Sequence, residues 1–259
     1  MPLYEKFGLD SRLFTKDSFE HDQKMLLIYL NNEPPDVGLV SSYKGGLVSN
    51  SCRLCFYYYL IDEKMHIEHY VIPMFDYVLD YFFGEWLKVT PCDGKMGINN
   101  WKSCLLWVSE LRYPILWASV LGAWDKAKEI SKYPDALCMD ADFESKEKKA
   151  WYVVLAVYLR EASLDNASKF IELIENGKKK REKLLLSVLK AIVANDTEGF
   201  TKEFGIYMKH YKAREYPQKQ VPEKLAIDGT ILFNLAKHKG LQVEFPGKYI
   251  DHYIHLGKI

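Results

Sequence analysis

Glycine, proline and cysteine are all scarce in this 259-residue chain, at 15, 10 and 5 residues. So little glycine and proline beside 48% hydrophobic and 27% charged residues excludes a largely disordered chain and fits a folded one. Five cysteines, an odd number without regular spacing, argue against a disulfide framework and fit a reducing compartment. Net charge is lacking too. Thirty-five basic and 35 acidic side chains cancel, which argues against nucleic acid as the main ligand, because phosphate binding needs clustered basic surface. Long hydrophobic runs are missing: the most apolar stretch, 104–124, is broken by Glu110, Arg112 and Pro114, so it reads as a core helix and no membrane partner is expected. Glu5, Lys6, Asp10 and Arg12 interrupt the start where a secretory leader would be apolar, and the expected location is the cytoplasm. No Gly-x-Ser-x-Gly elbow, phosphate-binding loop or dinucleotide fingerprint occurs, so the sequence offers nothing specific for nucleophilic catalysis, and no cofactor is expected.

What the chain does contain is punctuation. Three breaks, Gly122-Ala123-Trp124-Asp125, Ser163-Leu164-Asp165-Asn166 and Ala194-Asn195-Asp196-Thr197, each end one apolar helical pattern and start another. Asp125, Asp165 and Asp196 are 40 and 31 residues apart, close to the repeat of stacked helical hairpins. With almost no strand-like alternation, the fold class is all-α: helical hairpins packed as an irregular α-α repeat or bundle. Helices are expected over 19–30, 47–61, 63–83 with a kink at Pro73, 101–121 with a kink at Pro114, 125–133, 145–161, 166–175, 183–194, 197–211 and 222–238. Gly240 should cap the last of these, and an Asp, Asn or Thr should cap the second helix of each pair. One domain over 1–259 is the default, with an irregular segment at 90–97 dividing an aromatic-rich layer (1–97) from the hairpin region (98–259).

Several constellations could carry chemistry, and each has a plainer explanation. Cys52-x-x-Cys55 has metal-ligand spacing but no second cysteine pair, so these read as buried thiols. His66-x-x-His69 and His252-x-x-His255 could each place two imidazoles on one helix face, although neither matches a zinc-protease pattern, since Glu68 precedes His69. No metal is expected. Asp228 reads as a first-turn charge favoured by its helix dipole. The run Lys178-Lys179-Lys180-Arg181 with Lys183 reads as a solvated connection. Residues 1–130 carry 13 basic and 17 acidic groups, residues 131–259 carry 22 and 18, and an oriented electrostatic partner fits this asymmetry. The candidate partner-binding residues are the acidic Asp135, Asp140, Asp142 and Glu144 and the aromatic Tyr57, Tyr58 and Tyr59. The aromatic run holds too many bulky residues for one helix face, so some are expected on the surface.

The ending Leu225-Ala226-Ile227-Asp228-Gly229-Thr230-Ile231-Leu232-x-x-Leu235-Ala236, then Lys239-Gly240-Leu241-x-Val243 and Tyr249-Ile250, resembles the α-helical immunity proteins that protect bacteria from polymorphic or type VI secreted toxins, in particular the immunity 49 family. The resemblance covers about the last 140 residues. It implies a cytoplasmic, non-enzymatic inhibitor that binds a cognate toxin and occludes its active site, with no catalytic residue to carry over. A homodimer is left open. The alternative readings are a tetratricopeptide-like helical-repeat adaptor for a peptide or protein, and a metal-dependent enzyme in a helical bundle using His66, Glu68 and His69.

Overall fold

The computed structural model describes residues 7, 16–32, 40–84, 111–133, 145–216 and 224–257. Among them are ten α-helices and no strand, packed against one another, so the fold is all-α. The chain separates into two compact units, Met1–Pro114 and Ile115–Ile259. The irregular 90–97 segment, where the sequence places a division, lies outside the described residues.

Unit 1 contains α1 (Lys16–Asn31), α2 (Val40–Leu60) and α3 (Ile67–Phe83), with a 3-10 turn at Lys64–His66 leading into α3. Helix α2 packs against both α1 and α3. Two-sided packing explains how a run such as Phe56-Tyr57-Tyr58-Tyr59 is accommodated. Phe19 of α1 stacks on Tyr57 at 4.2 Å and meets Tyr58 edge-on, Tyr70 of α3 stacks on Tyr58 at 5.5 Å, and Phe56 meets Tyr113 edge-on at 5.3 Å. A helix covered on several sides can bury consecutive bulky residues, each ring facing a different neighbour. Gly46 permits the close approach of α1, since a Cβ there would lie 2.4 Å from the Tyr29 ring. Helix α3 runs through Pro73, where the missing N–H removes one ladder bond.

Unit 2 contains α4 (Arg112–Leu121) from Ile115 onward, then α5 (Trp124–Ile130), α6 (Lys146–Glu161), α7 (Ser168–Asn176), α8 (Lys180–Val193), α9 (Thr197–His210) and α10 (Ile227–His238). Pro114 is the third residue of α4, and the kink expected there turns on the residues before it. Residues 101–110 lie outside the described set. Consecutive helices pair, α6 with α7 and α8 with α9, and α10 packs on α8 and α9.

The three sequence breaks share a device. Each carries or directly follows one left-handed residue: Gly122 at φ 71°, Ala162, just before the second break, at φ 56°, and Asn195 at φ 52°. At Gly122 and Asn195 the following amide reaches back five residues, Ala123 N to Ala118 O at 2.8 Å and Asp196 N to Ala191 O at 3.0 Å. Gly240, at φ 90°, ends α10 in the same way, with Leu241 N to Ala236 O at 3.0 Å. Asp196 and Ser145 cap the helices they precede, accepting from Gly199 N at 2.9 Å and Lys148 N at 3.2 Å. Capping by Asp125 and Asn166 does not occur. Ala123 and Ala167 hold those positions without side-chain caps, and Asp125 lies in the first turn, where it favours the helix dipole.

Candidate functional site

The predicted partner-binding residues divide. Asp135, Asp140, Asp142 and Glu144 lie outside the described residues. Tyr58 and Tyr59 are buried, at 8% and 1% exposure, and only Tyr57 remains half-exposed, so the expected aromatic surface is interior for the reason given above. The tyrosines are tied inward: Gln23 donates to the Tyr70 hydroxyl at 3.2 Å, and burial pushes the Tyr58 phenol well above its ordinary range. Among the described residues of unit 1, the large apolar groups that face solvent are Leu27, Ile28, Leu30, Met65, Ile72 and Phe83.

Cys52 and Cys55 are free and buried, as their spacing inside an apolar helix implied. Cys52 Sγ lies 3.1 Å from Met74 Sδ, and burial drives the Cys55 thiol far up, which keeps it protonated and inert. His66 and His69 are exposed, and no group of three metal-ligating side chains occurs among the described residues. Likewise, no helix among them is long and apolar enough to cross a membrane.

Unit 2 holds the polar constructions. Asp228 was read as a helix-dipole charge, and it does lie in the first turn of α10. It is also a buried acceptor, 2% exposed, that takes a 3.1 Å hydrogen bond from Trp151 Nε1 and a 2.5 Å ion pair from Arg181, whose second arm reaches Glu182 at 2.9 Å. The basic run therefore splits: Lys178, Lys179 and Lys180 are exposed, while Arg181 turns inward and joins α8 to α10 and α6. The one hint in the sequence is a lone acid inside the apolar Leu225–Ala236 run.

The second construction surrounds the π-helical turn Tyr211–Glu215 after α9. His252, on the 3-10 turn Gly247–His252, places Nδ1 3.2 Å from the Lys224 carbonyl and Nε2 3.1 Å from Lys212 Nζ. A carbonyl only accepts, so Nδ1 carries the ring proton and Nε2 presents its lone pair to Lys212. Burial first, then the Lys212 charge, hold this imidazole below the ordinary histidine range and keep it neutral. Both Lys212 and Lys224 sit against the Tyr216 ring, 3.6 and 4.3 Å from its centroid. Sequence spacing paired His252 with His255, but its partners are Lys212 and Lys224, 40 and 28 positions away.

The third feature is a cleft of about 220 Å³ between the ends of α5, α6 and α10. Tyr158 and Leu235 contribute apolar surface, and Asp125, Lys128, Arg160, Glu161 and Lys239 bring charge of both signs. Trp124 stacks on His238 at 4.8 Å and 20°. An aromatic centre in a charged rim can hold one side chain of a partner.

The residues that carry the immunity-protein resemblance lie mostly in the interior of unit 2: Leu225, Ala226, Ile231, Leu232, Leu235, Ala236, Leu241 and Tyr249 are all buried. They specify how α10 docks and not what the surface meets. No family model matches the chain, and no curated protein or solved structure matches it significantly.

Proposed function

We propose that this protein is a non-enzymatic immunity protein that binds a cognate secreted bacterial toxin in the cytoplasm and covers its active site. The observation that carries the reading is the cleft of unit 2. Its aromatic and aliphatic lining inside a rim of both charge signs suits a protein side chain, and it adjoins the C-terminal ends of α6 and α10, sharing Leu235 and Lys239 with the resemblance residues. The acidic segment Asp135, Asp140, Asp142 and Glu144 supplies a second contact for a basic toxin surface.

The test begins with affinity capture of the tagged protein from its native cells and identification of bound proteins by mass spectrometry. A single stoichiometric toxin-like partner supports the reading; repeated capture of none overturns it. With the partner in hand, Lys128→Glu with Lys239→Glu is expected to weaken binding about tenfold or more, the 1.4 kcal/mol worth of a lost rim contact set. Unchanged affinity removes the cleft from the interface. Substituting Asp140, Asp142 and Glu144 together tests the acidic segment in the same way. The paired helices α6–α7 and α8–α9 favour one other reading, a helical-repeat adaptor that takes an extended peptide. Capture of several partners sharing a short segment would select it.

A further inference from the structure

The lysine run between α7 and α8 is fastened in place. Glu147, in the first turn of α6, accepts from Lys178 N at 3.0 Å, and the absence of a side chain at Gly177 lets the connection lie against it. Two backbone amides, its own and that of Lys178, and then the Lys179 charge hold the Glu147 carboxyl below the ordinary carboxylate range, so it stays ionised. A merely solvated loop needs no such anchor. Gly177 lines an open groove of about 470 Å³ where the first turn of α6 meets α7, so the three lysines that follow it stand at one end of that groove.

Helix α7 lines the groove with Lys169, Glu172, Leu173 and Asn176, residues spaced i, i+3, i+4 and i+7 on one helix face. That face is about 10 Å long at about 1.5 Å per residue, room for about three residues of extended chain, and Leu173 lies at its middle. Five exposed lysines, Lys146 and Lys169 in the lining and Lys178, Lys179 and Lys180 at the end, stand against two lining carboxylates, Glu147 and Glu172. Positive charge is in excess. Among the described residues none of the five lysines is in an ion pair, since Lys190 takes Glu175 and Arg181 takes Glu182.

We propose that this groove docks a short, extended acidic segment of a partner protein, with one apolar side chain seated on Leu173. Alternate side chains of such a segment face the same way, so carboxylates two positions either side of the apolar residue reach Lys169 at one end and the Lys178–Lys180 run at the other. Charge complementarity selects the sign of the occupant. Glu172 selects its class: it repels a phosphate backbone, whereas an extended peptide brings backbone N–H groups for the Glu172 carboxylate and the Asn176 side-chain oxygen to accept. The groove shares no lining residue with the cleft at Trp124, and the proposal holds whether or not the partner is a toxin.

The probe is an acetylated, amidated Glu-Glu-Leu-Glu-Glu peptide titrated into the whole protein by calorimetry at about 50 mM salt. Lys178→Gln, Lys179→Gln and Lys180→Gln together are expected to weaken binding at least about fivefold. Lys202→Gln, Lys209→Gln and Lys248→Gln remove the same charge elsewhere on unit 2 and should change it less than about twofold. All six lysines are exposed, so both triple variants keep the fold, which circular dichroism checks. Serine in place of the peptide's leucine should weaken binding about three- to tenfold. No saturable binding below about 1 mM, equal effects of the two triple variants, no preference for leucine, or tighter binding of a short oligothymidylate overturns the proposal. Affinity that rises when Asp140, Asp142 and Glu144 are replaced by their amides makes the chain's own acidic stretch the occupant and overturns it as well.

Discussion

Replacing Asp228 tests whether its contacts hold unit 2 together. Asp228→Asn keeps a carbonyl for the Trp151 indole but turns an amide towards Arg181, so the ion pair becomes a donor facing a donor. Removing one partner of a buried pair costs about 3–5 kcal/mol. Arg181 retains Glu182 and 16% side-chain exposure, which places the expected loss near the bottom of that range, about 3 kcal/mol. Asp228→Ala also strands the indole N–H and should cost about 1 kcal/mol more. Arg181→Met alone takes the cation from two buried carboxylates, Asp228 and Glu182, and should cost more than Asp228→Asn, whereas the double variant Arg181→Met, Asp228→Asn should cost clearly less than the sum, because the Asp228 charge leaves together with its partner. Because the chain has two compact units, one global transition is not assumed. Amide hydrogen exchange of α6, α8 and α10 under increasing urea reads unit 2 directly. Asp228→Asn within about 0.5 kcal/mol of the parent, or single effects that simply add, would refute the reasoning.

Ala162→Gly should stabilise unit 2 by about 1 kcal/mol in the same exchange assay, since a left-handed φ of 56° strains alanine and not glycine. Asp196→Ala should destabilise by about 1 kcal/mol through loss of the cap on Gly199, and Asp196→Ser should restore most of it. The depressed His252 makes stability pH-dependent: both states are neutral above the unfolded pKa, and below it the unfolded chain takes a proton that the folded chain resists. Stability is therefore expected to be insensitive to His252 above pH about 6.5 and to fall as the pH drops from there towards the lower folded value, with Asn or Gln at 252 flattening the slope in urea titrations at several pH values. Native-state iodoacetamide should spare Cys52 and Cys55, with mass mapping showing both labelled after unfolding; rapid native labelling would contradict their burial.

The breaks were legible because their chemistry is local. Gly122 and Asn195 tolerate the left-handed conformation, Asp196 can cap, and Gly240 can close a helix, so sequence and backbone agree within a residue or two. Ala162 does the same task without announcing it, and only the polar residues after it marked that turn. Burial of Tyr58 and Tyr59 was not legible, because a run of rings reads as an overloaded face until the number of helices around it is known. Both polar clusters escaped for another reason. Arg181 and Asp228 are 47 positions apart and Lys212 and His252 are 40, so no spacing rule joins them. Short-range periodicities suggested His66 with His69 instead, and those two face solvent.

The stacking of Trp124 on His238 also equips the cleft with an optical readout. An imidazolium quenches an indole in contact with it far more than a neutral imidazole does, and burial together with Lys239 keeps His238 below its ordinary range. Emission from Trp124, isolated by subtracting a Trp124→Phe variant, should therefore dim only under acid and shift whenever a guest enters between α5 and α10. Occupancy of that cleft could then be followed in unlabelled protein, before any binding partner has been named.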